Sequence, residues 1–159
     1  MAAQKRISFG SDERTSLTEY LSAELKRRGF TVALHGALRD GEDSAWPVAA
    51  ERVARDVAEG KAGQGVLLCW TGTGVSIAAN KVPGVRAALC NDAQTALGAR
   101  KWNDANVLCL SLRSLSQDVA REILDAWFTG KPEPSEKANI DHVRNMDKSG
   151  SPGRSARVR

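Results

Sequence analysis

Residues 65–80 read Gly-Val-Leu-Leu-Cys-Trp-Thr-Gly-Thr-Gly-Val-Ser-Ile-Ala-Ala-Asn, and this stretch decides the fold. Its first five residues form a continuous apolar run, which predicts a strand covered on both faces, as in a parallel sheet. Gly72 and Gly74 then favour a tight turn into a short helix over residues 72–80. A buried strand followed directly by a helix is the repeating unit of a doubly wound α/β fold.

Strands and helices continue to alternate on both sides of this stretch. Short apolar runs predict strands, while apolar residues at helical spacing between capping residues predict helices. We therefore predict an α/β, Rossmann-like three-layer sandwich with a five-stranded parallel sheet, in which ligands bind beyond the carboxyl ends of the strands. His35 is expected in a polar loop, 35–45. The predicted strands are 6–9, 30–34, 65–69, 85–90 and 106–110, and the predicted helices are 15–28, 46–59, 72–80, 92–102, 116–128 and 135–146.

Composition predicts one globular domain with a short basic tail. The chain has 159 residues, of which 42% are hydrophobic and 26% charged. Its net charge of +4 equals the charge of the four basic residues after residue 147, so the predicted domain, 1–147, is electrically balanced. We expect residues 148–159 to be disordered. Because no recognition motif accompanies this charge, we expect no nucleic-acid partner.

The remaining compositional signals concern location and cofactors. No apolar run approaches the roughly 18 residues of a membrane span, and the N-terminus lacks a signal-peptide pattern. The three cysteines, Cys69, Cys90 and Cys109, are an odd number without metal-binding spacing. They indicate reduced thiols in a cytoplasmic protein, and we expect no metal site and no membrane partner.

Cys69 and the turn after it carry the chemistry of this sequence. A thiol at the end of a buried strand would lie beside free backbone N–H groups, which favour a thiolate and can hold an anion. The loop lacks the lysine of a Walker motif and the third glycine of a dinucleotide fingerprint. It could bind phosphate, or it could stabilise the enediolate of an aldose–ketose isomerisation beside a base. Alternatively, Cys69 is a small buried hydrophobe and the glycines only form the turn.

The chain from Cys69 to Arg113 resembles the type B ribose-5-phosphate isomerases and galactose-6-phosphate isomerases. The resemblance is carried by residues 69–90 and by Ala-Arg-Lys-Trp-Asn-Asp-Ala-Asn-Val-Leu at 99–108, with a weaker match at 7–12. It implies an aldose–ketose isomerase for a small sugar phosphate that needs no metal or organic cofactor. It also implies a homodimer or tetramer with active sites between subunits.

The resemblance assigns roles to individual residues of this sequence. Cys69 corresponds to the base that transfers a proton through a cis-enediolate, and Thr71 to a substrate contact. Asn103 and Asp12 correspond to sugar contacts, and Arg113 to a phosphate ligand. The predicted substrate-binding residues are Asp12, Glu13, Trp70, Gly72, Gly74, Ser76, Trp102, Asn103, Arg113 and Lys137, with Gly72, Gly74 and Ser76 framing the anion hole.

Both histidines of the family pattern are replaced in this chain. Glu13 follows Asp12 where the family has histidine, and Trp102 stands where the family has the histidine credited with opening the sugar ring. An indole N–H is only a donor, so Trp102 cannot take over that proton transfer. We therefore expect an open-chain substrate such as a four-carbon sugar phosphate, which needs no ring opening.

Further departures concern the aromatic residues and the phosphate end of the site. Trp70 replaces a glycine of the family and Trp46 a tyrosine. These tryptophans either stack on the sugar or pack in a subunit interface. The two family arginines of the last helix have no clear match, although Lys137 lies nearby. A non-phosphorylated sugar, a catalytically silent sugar-phosphate sensor and a nucleotide-binding regulator therefore remain as alternatives.

Overall fold

Residues 2–149 are described by the computed structural model, and they form five strands and six helices. The strands are β1 (Arg6–Ser11), β2 (Thr31–Gly36), β3 (Gln64–Cys69), β4 (Ala87–Leu89) and β5 (Val107–Ser111). The helices are α1 (Ser16–Arg27), α2 (Trp46–Ala58), α3 (Thr73–Ala79), α4 (Ala93–Asn103), α5 (Gln117–Thr129) and α6 (Lys137–Ser149). Short 3₁₀ turns cover Ala3–Lys5 and Pro134–Glu136.

The five strands form one parallel sheet in the order β2-β1-β3-β5-β4. Helices α1, α4 and α5 pack on one face, while α2 and α3 pack on the other. This arrangement confirms the predicted three-layer α/β fold. The sequence did not indicate that β5 lies between β3 and β4, because strand order depends on how the helices pack.

The apolar run of β3 supplies both layers of the core. Val66 and Leu68 face α1 and α5, while Leu67 and Cys69 face α2 and α3. Successive side chains of a strand point to opposite faces, so a central strand needs apolar residues at every position. This physical requirement explains why the apolar run alone predicts β3 as a strand buried on both faces.

All strands end at the same edge of the sheet, which we call the carboxyl edge. There Cys69 pairs with Ser111, and Ser11 of β1 pairs with Leu68. The opposite, amino edge is where β3 and β5 begin, and Gly65 pairs with Val107 there. Loops of the carboxyl edge therefore come from β1, β3 and β5 side by side.

Element boundaries differ from the sequence-based expectation by up to three residues, and two of these differences bear on the argument. His35, expected in a loop, is a buried residue of β2 paired with Gly10 of β1. The loop prediction was wrong because the polar partners of this histidine lie far away in sequence. Helix α6 runs to Ser149, two residues into the predicted tail, and residues 150–159 lie outside the described part of the chain.

Candidate active site

Cys69 ends the central strand β3 and is 5% exposed. Its carbonyl accepts the N–H of Leu112 at 3.0 Å, so the β3–β5 ladder continues past both strand ends. The thiol lies on the face of the sheet covered by α2 and α3. A backbone held on both sides gives this side chain a fixed place at the carboxyl edge.

The turn after Cys69 is fastened to the end of β5. The Trp70 carbonyl accepts hydrogen bonds from Ser111 Oγ at 2.9 Å and from the Arg113 N–H at 3.1 Å. Thr71 Oγ1 lies 2.7 Å from Thr73 Oγ1. Both Trp70 and Thr71 are exposed, so the structure presents these two predicted site residues to solvent.

Gly72 makes the turn possible. Its φ is +77°, a left-handed conformation that residues with a Cβ rarely adopt. A Cβ here would also lie 2.6 Å from Leu89 Cδ1 and 2.9 Å from the Leu110 carbonyl oxygen. The glycine is therefore required by conformation and by space, which bears out the predicted turn.

Backbone N–H groups at the start of α3 point into this turn. The first amides of a helix have no intrahelical acceptor, which leaves those of Thr73, Gly74 and Val75 available. The Trp46 ring covers Gly74, since a Cβ on Gly74 would lie 3.1 Å from Trp46 Cε3. Trp46 therefore forms one wall of the site, a contact that sequence reasoning did not assign.

Ser76 lies one turn further along α3, and its polar groups are engaged within the protein. Its N–H donates to the Gly72 carbonyl at 3.3 Å, and its hydroxyl forms a hydrogen bond with the buried Cys109 thiol. Burial raises the pKa of Cys109, and the Ser76 hydroxyl only partly offsets this. The half-buried Ser76 thus uses its hydroxyl within the protein, which leaves the preceding amides as the free donors of the predicted anion hole.

Asp12 and Arg113 lie on opposite sides of Cys69, because β1 and β5 flank β3. Asp12 Oδ1 is buried without a hydrogen-bond partner among the described residues. Burial, together with the charge of the neighbouring Glu13, raises the pKa of the Asp12 carboxyl. The Glu13 side chain is exposed, and Ser11 Oγ bonds its backbone groups at 2.8 and 3.2 Å.

The guanidinium of Arg113 is exposed. Within residues 2–149 it forms no hydrogen bond or ion pair. An unpaired cation and an orphaned carboxyl oxygen next to a thiol leave polar groups for a ligand to satisfy.

Three predicted site residues, Trp102, Asn103 and Lys137, lie instead at the amino edge. Helix α4 carries the chain back from the carboxyl edge, and the Asn106 carbonyl accepts the N–H of Gly65 at 2.9 Å. Strands of five residues place this edge roughly 15 Å from Cys69. One copy of the chain therefore separates the predicted site into two groups.

A groove of about 550 Å³ lies at the amino edge between β4, α4 and α6. Trp102, 53% exposed, and Asn103 line it, together with Glu136 and Asn139 at the start of α6. Lys137 does not line this groove, since its ammonium group pairs with Asp141. That pairing lowers the pKa of Asp141 and occupies the lysine proposed as a phosphate ligand.

Asp104 fixes the end of α4 on which Trp102 and Asn103 lie. Its φ of +46° is left-handed, and its carboxylate pairs with Arg86 at 3.2 Å, Arg100 at 3.5 Å and also Arg144. Burial lowers the pKa values of Arg86 and Arg100, and Asp104 opposes this shift. Two of these arginines, Arg86 and Arg144, lie 18 and 40 residues away in the chain, so packing brings them to Asp104.

Among residues 2–149, no group of three or more His, Cys, Asp or Glu side chains is placed to hold a metal ion. None of the helices in this range combines the length and the apolar character that crossing a bilayer requires.

With this geometry established, the chain was compared with known proteins. The model of the ribose/galactose isomerase family matches residues 7–148. The chain belongs to this family. The D-erythrulose-4-phosphate isomerase of Pectobacterium atrosepticum is 38% identical over 132 residues, covering 80% of this chain and 84% of that protein.

Two further comparisons agree with this assignment. The ribose-5-phosphate isomerase B of Escherichia coli is 38% identical over 130 residues, which cover 81% of this chain and 87% of that protein. The structure of the Clostridium thermocellum ribose-5-phosphate isomerase B superposes with a TM-score of 0.84 at 34% identity, covering 92% and 99% of the two chains. The predicted family, fold and isomerase class are thereby confirmed.

Proposed function

We propose that this protein interconverts an aldose phosphate and a ketose phosphate of four carbons, with Cys69 as the base. The thiolate removes the proton from the carbon next to the carbonyl, which leaves a cis-enediolate. The same proton returns to the neighbouring carbon, while one hydroxyl proton moves between the two oxygens. The amides of Thr73 and Gly74 would stabilise the charge on the enediolate oxygen.

The observation that carries the substrate assignment is Trp102 at the groove of the amino edge. The resemblance places a ring-opening histidine at this position, and an indole cannot transfer that proton. A four-carbon sugar phosphorylated on its terminal hydroxyl has no free oxygen to close a five-membered ring, so it needs no ring opening. The printed name of the Pectobacterium relative, a D-erythrulose-4-phosphate isomerase, supports the same substrate class.

We further propose that the complete site forms between two copies of the chain, as a homodimer or tetramer. Trp102 and Asn103 lie at the edge of the sheet opposite Cys69, so they cannot reach a substrate bound there in their own subunit. A second copy could bring its amino-edge groove to the carboxyl edge of the first. Exposed Trp70, Ile77 and Trp102 are suited to an interface of this kind.

Arg113 is the proposed phosphate ligand, because its guanidinium has no partner among residues 2–149. Lys137 is the weaker candidate since Asp141 neutralises it. The three cysteines are free thiols, which fits a cytoplasmic protein. The mechanism proposed here uses no metal or organic cofactor.

The test compares kcat/KM for D-erythrose 4-phosphate and D-ribose 5-phosphate. We expect at least about tenfold preference for the tetrose phosphate, equal to about 1.4 kcal/mol in transition-state binding. Trp102→His should raise activity on the ribose ester more than on the tetrose ester. Equal or better turnover of ribose 5-phosphate by the wild type would refute the substrate assignment.

A sugar-phosphate sensor is the second candidate, favoured by the replacement of both family histidines by Glu13 and Trp102. It predicts saturable binding of the same esters without turnover. Calorimetry together with an isomerase assay distinguishes the two functions. An isomerase must show turnover in the wild type and lose it in Cys69→Ala, whereas a sensor binds without turnover.

A further inference from the structure

His35 lies buried in β2 with a carboxylate facing each of its ring nitrogens. Nε2 is 2.8 Å from Asp56 Oδ2 on α2, and Nδ1 is 3.4 Å from both carboxylate oxygens of Glu42 in the loop 37–45. A neutral imidazole has one N–H, so it could satisfy only one of these acceptors. An imidazolium would donate to both acceptors and so link β2, the loop and α2.

The groups around His35 keep both carboxylates in place. Asp56 also accepts a hydrogen bond from Ser8 Oγ of β1 at 2.8 Å. Arg39 of the loop and Arg52 of α2 each lie 3.2 Å from Glu42 Oε1.

Glu42 stays ionised in this setting. Burial tends to raise the pKa of Glu42, but the Gly36 N–H at 3.0 Å, His35 and Arg52 outweigh it and lower this pKa. Glu42 therefore presents a negative charge to Nδ1 of His35.

The loop held by Glu42 leads directly into the proposed site. It ends at Ala45, and Trp46 is the first residue of α2. The Trp46 ring packs on Gly74, whose amide is one of the free donors beside Cys69. The Trp46 ring therefore contacts Gly74 in the site, and the backbone of Trp46 continues from the loop that Glu42 anchors.

We propose that His35 is a positioning residue: its cation holds the loop 37–45 against α2 and so keeps Trp46 in place over Gly74. The proposal that His35 orders the loop depends on the geometry of the cluster alone. Its effect on turnover rests on the proposed isomerase function.

The sign of the pH dependence follows from the charge of the ring. Protonated His35 donates to both Glu42 and Asp56, so the loop is held at low pH. Loss of the proton leaves a ring lone pair facing one carboxylate, so the attachment weakens as pH rises. The order of the loop should therefore be lower at pH 8 than at pH 6.

Hydrogen exchange of the peptide covering residues 37–46 tests this in the full chain, after correction for the intrinsic rate at each pH. We expect protection to fall about tenfold from pH 6 to pH 8 in the wild type, as for loss of a charged hydrogen bond. His35→Gln should show low protection at both values. His142→Gln, which alters the exposed histidine of α6, should follow the wild type.

Glu42→Gln is the second variant, in case His35→Gln does not fold. Its amide can donate to a neutral ring or accept from a charged one, so the pH dependence of protection should largely disappear. Wild-type protection that is the same at both pH values, or a full pH dependence retained in Glu42→Gln, would overturn the proposal.

A separate activity measurement keeps this proposal distinct from the proposed function. If the isomerase function holds, KM of the wild type should rise from pH 6 to pH 8. KM of Glu42→Gln should not show this additional rise. No turnover with the expected exchange pattern would refute the function while leaving the role of His35 in the loop intact. If turnover is observed and KM has the same pH dependence in the wild type and in Glu42→Gln, the proposed effect of His35 on the active site is refuted.

Discussion

The two edges of the sheet carry the two groups of predicted site residues, and they are built in opposite ways. At the carboxyl edge, loops present groups that have no partner within the described part of the chain, such as the Asp12 oxygen and the Arg113 guanidinium. At the amino edge, the end of α4 is fixed by Asp104 and its three arginines, and Lys137 is paired with Asp141.

We therefore place the proposed reaction at the carboxyl edge and the supporting contacts at the amino edge. A buried polar atom without a hydrogen-bond partner, such as Asp12 Oδ1 among the described residues, is unfavourable unless a ligand or water satisfies it. Satisfied ion pairs hold a surface in one shape, which suits the docking and the Asn103 contact that we propose. The substitutions below test the two edges in order of expected effect.

Cys69→Ala at the carboxyl edge should have the largest effect. We expect kcat on the tetrose phosphate to fall by about 10²-fold or more, the range that general acid–base catalysis supplies. Cys90→Ala is the matched control, since burial raises the pKa of that thiol to about 12 and it faces the other core. Comparable losses in both variants would contradict the role of Cys69 as base.

Asp104→Asn at the amino edge should act on stability. The substitution keeps a residue that tolerates the left-handed backbone but leaves Arg86 and Arg100 without their carboxylate. We expect the free energy of unfolding to fall by about 3 kcal/mol, as for a broken buried ion pair. Urea unfolding measures it.

The control for this variant is Asp118→Asn, which loses only an exposed contact with Arg121 at 3.9 Å. We expect it to change the free energy of unfolding by less than about 0.5 kcal/mol. Equal effects of the two substitutions would show that the Asp104 cluster does not fix the amino edge.

Arg113→Ala should raise KM for the phosphate ester about tenfold, with a smaller change in kcat, because it removes a charged hydrogen bond to a group that does not react. Arg113→Lys should restore part of this loss, since lysine keeps the charge without the fork. Arg121→Ala, at an exposed position on α5, serves as the control. An unchanged KM in Arg113→Ala would assign the phosphate to another cation.

Asp12→Asn should give the smallest effect, a gain in stability at neutral pH. Because burial raises the pKa of Asp12 in the fold, ionising it above its ordinary pKa opposes folding. The variant should therefore unfold at slightly higher urea than the wild type at pH 7, and the difference should vanish near pH 3. Asp40→Asn, which alters an exposed carboxylate paired with Arg14, should not show this pattern.

The sequence predicted elements whose causes are local. The apolar run of β3, helix α4 with its N-cap at Asp92, and the turn at Gly72 each depend on residues a few positions apart. The end of β3 therefore placed Cys69 correctly at a strand terminus.

Features that depend on distant partners were not predictable. His35 was expected in a loop because its partners Glu42 and Asp56 reach it only through packing, and Ser8 in turn bonds to Asp56. The contact of Trp46 with Gly74 likewise joins α2 to α3 across the face of the sheet. The resemblance implied a shared site between subunits, and the structure supplies a physical reason in the separation of the two edges.

Subunit complementation tests the central claim, that the site joins Cys69 of one subunit to Trp102 and Asn103 of another. Cys69→Ala and the double variant Trp102→Ala/Asn103→Ala are prepared separately, then unfolded, mixed in equal amounts and refolded. In a symmetric dimer, half of the molecules are then mixed, each with one intact site, so activity should recover to about a quarter of the wild type. Activity of the mixture no higher than the mean of the two variants would contradict the shared site.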